Sequence, residues 1–208
     1  MLDRRRALAL GTGLVAAGAG PASALAEEAV GEIASMSGSV LVLRDQGGFT
    51  ALSPGSAIFA ADIVRTGADG KVLILCRDGL RLAVGGGTEI AVRAYLVDAP
   101  NGTLQAALGL LRGIVRLIGG DSLRRQWIEV DTRTAVASVR STEWLVESTA
   151  KGTGVLSLVG AVEVVGLAGG RVLLQPGEGT DVPPGGPPNP PARWGAPRRL
   201  DAIARTTL

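Results

Sequence analysis

Residues 128–165 read IEVDTRTAVASVRSTEWLVESTAKGTGVLSLVGAVEVV. This stretch is rich in valine and threonine and contains no proline. Its glycines, Gly152, Gly154 and Gly160, divide it into strand-length pieces. β-Branched side chains suit a pleated surface better than a helix, so the stretch predicts several consecutive β-strands.

The same texture extends to both sides. Ser39–Arg44 is apolar on both faces and is followed by the turn signal Asp45-Gln46-Gly47-Gly48. Ala57–Arg65 and Lys71–Cys76 read as strands on either side of Thr66–Gly70. Asp78-Gly79 is a tight-turn signal before Leu80–Val84, and Glu89–Val97 follows. No helical periodicity intervenes between these short, closely spaced strands, which argues for an all-β fold and against alternating strands and helices. Leu104–Ile118 is the ambiguous segment. An amphipathic helix would fit it, but Gly109 and Gly113 would each cost about 1 kcal/mol there. Two strands meeting near Arg112-Gly113 are therefore expected.

An internal repeat supports this reading. Gly38–Gly55 (GSVLVLRDQGGFTALSPG) aligns without gaps on Gly160–Gly177 (GAVEVVGLAGGRVLLQPG), 122 residues later. Eight of the eighteen positions are identical, including both ends, the Gly-Gly turn and the Pro-Gly corner. Stacked units of this kind build solenoids. The predicted fold class is thus an elongated all-β solenoid or roll with a pseudo-repeat.

Three segments follow from composition. Residues 1–26 have the form of an export signal: Arg4-Arg5-Arg6, an apolar run too short to span a bilayer, and Ala24-Leu25-Ala26 with cleavage expected between Ala26 and Glu27. The arginines also fit a twin-arginine signal, and the export route stays open. Residues 27–182 form the β domain. From Pro183 onward seven of the eleven prolines crowd into fifteen residues, so 183–208 reads as an extended, polyproline-like or disordered tail that could dock or space a partner, with Arg198–Leu208 either a short helix or frayed.

Charge and chemistry exclude several functions. The whole chain carries +2, and residues 1–26, with three arginines and one aspartate, account for all of it. The exported chain is close to neutral, without the basic footprint of nucleic-acid binding. There is no histidine, which removes the commonest general base and metal ligand. Ser148-Thr149-Ala150-Lys151 matches S-x-x-K, but the partner motifs are absent and the segment falls at a hairpin end. No catalytic residue, cofactor or metal is expected. The single Cys76 reads as a buried hydrophobe. Aromatics make up only 3% of the chain, too few for a stacking platform.

The order of motifs from about Gly31 to Val182 resembles the FecR domain, found in the periplasmic part of iron-dicitrate-type signalling regulators and in many exported bacterial proteins. Gly38-Ser39-Val40 opens the pattern, and Leu52 and Gly55 follow. Asp62-Ile63-Val64-Arg65-Thr66-Gly67 corresponds to the Asp-Ile-Val-x-Thr-Gly element, with Ala61 where a glycine is usual. Val139-Arg140-Ser141-Thr142-Glu143-Trp144 corresponds to Val-Arg-Gly-Thr-Glu-Phe. Gly160–Val164 and Pro176-Gly177-Glu178 close the pattern. Asp62, Thr66, Gly67, Val139, Arg140, Thr142, Glu143, Trp144, Gly160, Pro176 and Gly177 are the family-motif positions, expected to be structural. Arg140 can be read as part of a recognition patch. It can equally be an arginine packed over Trp144 and paired with Glu129 or Asp131. The regulators also carry a cytoplasmic domain and a membrane helix ahead of this domain, which this chain replaces with its signal.

The resemblance implies a periplasmic protein that contacts another envelope protein, in signalling or assembly, without the anti-sigma role and with no membrane span after cleavage. The alternative is a module for cell-wall glycan or a small ligand, which a concave strip holding Trp127, Trp144 and arginines would support.

Overall fold

The computed structural model describes residues 28–45, 47–98, 103–119, 125–139 and 143–208. The expected cleavage site Ala26/Glu27, and Arg140 and Thr142 of the family motif, lie outside the described residues. Seventeen strands and one helix occur among those described. They are β1 (Gly31–Ser37), β2 (Val40–Leu43), β3 (Phe49–Ala51), β4 (Ala57–Ile58), β5 (Ile63–Thr66), β6 (Lys71–Cys76), β7 (Arg81–Val84), β8 (Glu89–Asp98) and β9 (Thr103–Ile118). After them come β10 (Arg125–Asp131), β11 (Ala135–Val139), β12 (Glu143–Thr149), β13 (Gly152–Val159), β14 (Val162–Gly166), β15 (Arg171–Leu174), β16 (Glu178–Val182), β17 (Ala192–Arg193) and α1 (Ala196–Arg205).

The strands form two layers that share one strand. The first layer runs β4-β1-β6-β7-β9-β12-β13-β16-β17. The second runs β3-β2-β5-β8-β9-β10-β11-β14-β15. Every pairing is antiparallel except β9 with β10. Neither layer closes on itself. The outermost strands are two to four residues long, which limits the exposed hydrogen-bonding edge. A single apolar core lies between the layers. Val72, Ile74, Leu82, Leu117, Trp144 and Val155 enter it from the first layer, and Val42, Val64, Leu108, Val130, Val162 and Val164 from the second.

The shared strand β9 settles the ambiguous segment. It is β throughout, as expected, but it is one sixteen-residue strand rather than two. Up to Arg112 it pairs with β8 and β10 in the second layer. From Gly113 it pairs with β7 and β12 in the first. Gly113 has φ +94°, so the chain turns from one layer into the other without losing its ladder. Buried Thr88 holds the turn, its hydroxyl oxygen accepting the Ile114 N–H at 3.0 Å.

A second expectation needs correction. Ala57–Arg65 is not one strand. It is β4 and β5 separated by a turn in which Ala61 has φ +64°. Alanine stands where the family pattern has glycine, so the usual signal for that turn is missing from the sequence.

The repeat is visible in the backbone. β2–β3 and β14–β15 are equivalent hairpins, with Gly38 and Gly160 at φ +63° and +79° and Gly55 and Gly177 at +83° and +86°. In each copy the chain enters the second layer at the first glycine and leaves it at the Pro-Gly corner. The two hairpins form opposite ends of the second layer, and no strand of one pairs with a strand of the other. The expected solenoid stacking is therefore replaced by two facing sheets.

The C-terminal segment also departs from a free tail. β17 pairs with β16 at the edge of the first layer, and α1 lies on that layer's outer face. Trp194 and Ala202 are buried there with Ile114, Leu145 and Leu156. Strand β12 is consequently buried on both sides, Trp144 and Val146 toward the core and Leu145 toward the helix. Trp144 and Glu143 lie on opposite faces, as strand alternation requires.

Candidate functional site

Of the described family-motif residues, Asp62, Thr66 and Gly67 hold turns. Asp62 is fully buried and accepts Nε and Nη2 of Arg44 at 2.8 and 2.6 Å and the Phe59 N–H at 2.9 Å. The same guanidinium lies 4.5 Å from the centre of the Phe59 ring and donates to the Ala57 carbonyl at 3.1 Å. The β4–β5 turn is thus organised around one bidentate ion pair. Thr66 is buried. It donates to the Gly85 carbonyl at 2.7 Å and accepts the Thr88 N–H at 2.9 Å. The carbonyl of Gly67 accepts the N–H groups of Gly70 and Gly87, and the Gly67 N–H donates to Ser39.

Glu143 pairs with Arg116 across the β9–β12 ladder, Nε to Oε1 at 2.7 Å. Trp144 is wholly buried, and its indole N–H has no partner among the described residues. Val139 is core. Ser157 ties the second repeat together: its hydroxyl donates to Gly160 at 2.7 Å and its carbonyl accepts the Gly177 N–H at 2.8 Å, next to exposed Pro176. Of the two acids suggested as partners for Arg140, Glu129 and Asp131, the second is paired with Arg93 from β8.

Ser148 of the S-x-x-K segment is buried in β12, with its hydroxyl 3.5 Å from the Leu111 carbonyl. Cys76 is buried beside Tyr95 and Asp78, whose carboxylate accepts the Tyr95 hydroxyl. Burial pushes the Cys76 thiol up to about 12, with the neighbouring Asp78 charge adding to the rise and a Tyr95 hydrogen bond opposing it. Burial likewise lifts the Tyr95 phenol above its ordinary range. Neither group is activated for nucleophilic chemistry. Among the described residues, no group of three or more His, Cys, Asp or Glu side chains could hold a metal ion.

A surface feature with recognition character is the outer face of the second layer, which no element among the described residues covers as α1 covers part of the first. The register sets Phe49, Leu43, Ile63, Ala91, Gly109, Asp131, Val136, Val165 and Arg171 in one row across it. Most of this row is apolar and partly exposed. Arg65 lies 3.9 Å from the Phe49 ring centre and pairs with Glu89 at 2.9 Å, flanking the row. Beside it a cleft of about 280 Å³ is lined by Trp127, Ser138, Val139, Ala161, Glu163 and Leu173. Leu173 is 55% exposed and Trp127 40%. Sequence reasoning singled out Trp127 but missed the row, because partly exposed aliphatic residues in strands look like core until the register is known.

Comparison with known proteins bears on this architecture. Residues 62–163 match the family model described as FecR protein. Two crystal structures of a candidate anti-sigma factor from Parabacteroides distasonis, at 1.65 and 2.50 Å resolution, share the fold with TM-scores of 0.53 and 0.54 at 15% identity. The similarity covers 68% of this chain and 64% and 63% of theirs, so the chain spans under two thirds of those proteins. No curated protein matches the chain. Among the described residues no helix is long and apolar enough to cross a membrane. The family match falls on the Asp62–Gly67 element, the shared strand and the Glu143–Trp144 strand, so residues 62–163 are those that match the FecR domain.

Proposed function

We propose that this is an exported envelope protein whose FecR-like domain acts by protein–protein contact, in signalling or assembly. The observation that carries the reading is the combination of a FecR match with motif residues such as Asp62, Thr66 and Glu143 that are spent on turns and ladders. What is left for recognition is a broad, partly apolar sheet face. Such a face suits a protein surface, because it offers shape and apolar area rather than convergent polar groups. The glycan alternative is less well supported: Trp144, which the stacking strip would need at the surface, is buried in the core, and Trp194 is buried beneath α1. Export as far as the periplasm rests on residues 1–26, with cleavage between Ala26 and Glu27.

The test has two parts. Intact mass of the protein recovered from a periplasmic fraction should correspond to a chain beginning at Glu27. The purified protein should not sediment with isolated cell wall. Retention on cell wall that soluble wall fragments compete away would instead favour the glycan module, and a full-length chain confined to the cytoplasm would reject export.

A further inference from the structure

The first layer contains a built slot for an indole. β13 and β16 are neighbours there, with Gly154 opposite Asp181 and Leu156 opposite Gly179. A Cβ on Gly179 would stand 2.3 Å from Nε1 of Trp194, and a Cβ on Gly154 3.4 Å from its Cη2. The two missing side chains are what make room for the ring. Arg198, one helical turn further on, lies over the indole at 3.4 Å from its centre. Its guanidinium is held in place by Asp181 at 2.8 and 2.5 Å, and that hydrogen-bonded pairing raises its pKa. Arg205 then reaches Glu147 at 2.7 Å, and Lys71 Nζ donates to the carbonyls of Ala204 and Thr207 at the helix end.

The segment that fills this slot joins the rest of the chain through Pro183-Pro184-Gly185-Gly186-Pro187-Pro188. Upstream of the indole it also completes the sheet edge: Asn189 N–H donates to Asp181 at 3.0 Å and Thr180 donates to Asn189 at 2.7 Å. Prolines, and the residues preceding prolines, favour extended backbone. Only Gly185-Gly186 let this connector fold back on itself, with one bond from Gly186 to Pro183 at 3.2 Å. A connector biased toward extension beside a self-complementary segment is the arrangement that permits exchange between copies. The charged contacts at the rim are partly exposed, the Arg198–Asp181 pair about half so, and exposed pairs hold weakly.

We propose that the Gly154/Gly179 slot is an exchangeable docking site, and that its second occupant is the same segment, residues 189–207, of another copy of this chain. In the exchanged dimer each copy supplies Trp194, Arg198 and Arg205 to the other's slot, Asp181 and Glu147.

Charge reversal tests this. One full-length variant carries Asp181→Arg and Glu147→Arg. The other carries Arg198→Asp and Arg205→Glu. Each alone opposes like charges at its own slot. When mixed, a reciprocal heterodimer restores complementary contacts at both slots. The expected result is a one-to-one heterodimer by native mass spectrometry that neither variant forms as a homodimer. A mixture that stays monomeric overturns the proposal.

Should either variant fold poorly, isotopically light and heavy wild-type chains can be refolded together from urea at high concentration. Mixed-mass dimers are expected, and Gly179→Ala, which fills the slot, should abolish them. Absence of mixed dimers, or their persistence with Gly179→Ala, overturns it as well.

Discussion

Gly113→Ala should be among the most damaging single-methyl additions in the chain. The residue has φ +94°, where an alanine costs about 1–2 kcal/mol. The added Cβ would sit 2.2 Å from Thr88 Oγ1 and 2.5 Å from Thr88 Cα. Backbone cannot move as a side-chain tip can, so overpacking adds about 1–3 kcal/mol. Displacing Thr88 also loosens the Ile114 N–H bond, worth about 1 kcal/mol. Alanine recovers about 0.4–1 kcal/mol by restricting the unfolded chain. The net expectation is a loss of about 2–6 kcal/mol by these same terms. Gly109→Ala, four residues away on the same strand, is the control. The three atoms nearest its Cβ all belong to the Arg93 guanidinium, the closest at 2.6 Å, on a side chain 54% exposed that can swing aside. The cost there should stay within about 1 kcal/mol, the worth of the exposed Arg93–Asp131 pair. Urea unfolding followed by tryptophan fluorescence and far-ultraviolet circular dichroism measures both. Equal costs for the two variants, or a Gly113→Ala cost below about 1 kcal/mol, would refute the account of β9 as a strand that changes layers at Gly113.

Other consequences are as direct. Ala61→Gly relieves a left-handed alanine and should raise stability by about 0.5 kcal/mol after the entropy of an added glycine is subtracted, read as a higher urea midpoint. Asp62→Ala strips the partner from Arg44 and the acceptor from the Phe59 N–H, and should cost about 2–3 kcal/mol in the same assay. Cys76 should react with a thiol reagent only as fast as the domain opens, and promptly in urea. Its folded pKa of about 12 lies above the ordinary 9.0, so the stabilisation linked to the neutral thiol is complete below pH 9 and is lost as pH rises from 9 toward 12. Tyr95, shifted in the same direction, adds to that alkaline loss. Unfolding midpoints across pH 7–11 should therefore fall only in the alkaline half.

Much of the fold is written in glycine, proline and β-branched residues. The β2–β3 and β14–β15 hairpins were visible because Gly-Gly turns and Pro-Gly corners punctuate them at the same spacing. The β4–β5 break was hidden because Ala61 occupies a left-handed position without the glycine that announces one. Gly113 was recognised as a discontinuity in β9, but only the three-dimensional register distinguishes the end of a strand from a change of sheet. In the C-terminal segment, proline density obscured a docked helix, even though Pro197 in the first turn of α1 is itself a start signal. Trp194 looks like an exposed tail aromatic until Gly154 and Gly179 are seen beneath it. The candidate recognition face was the least readable part. Leu43, Ile63, Val136 and Val165 lie far apart in sequence and join in one row only through pairings along the second layer.

The most direct test of the central claim, that the outer face of the second layer contacts another protein, is site-specific photo-cross-linking in intact cells. A photoreactive residue would be placed at Val136 or Leu173 on that face, and at Leu200 on the exposed side of α1 as a control. The account predicts one protein adduct of the same mass from both Val136 and Leu173, absent from Leu200 and lost when Val165→Arg is added to the row. Adducts of equal yield from all three positions, or none from Val136 and Leu173, would contradict it.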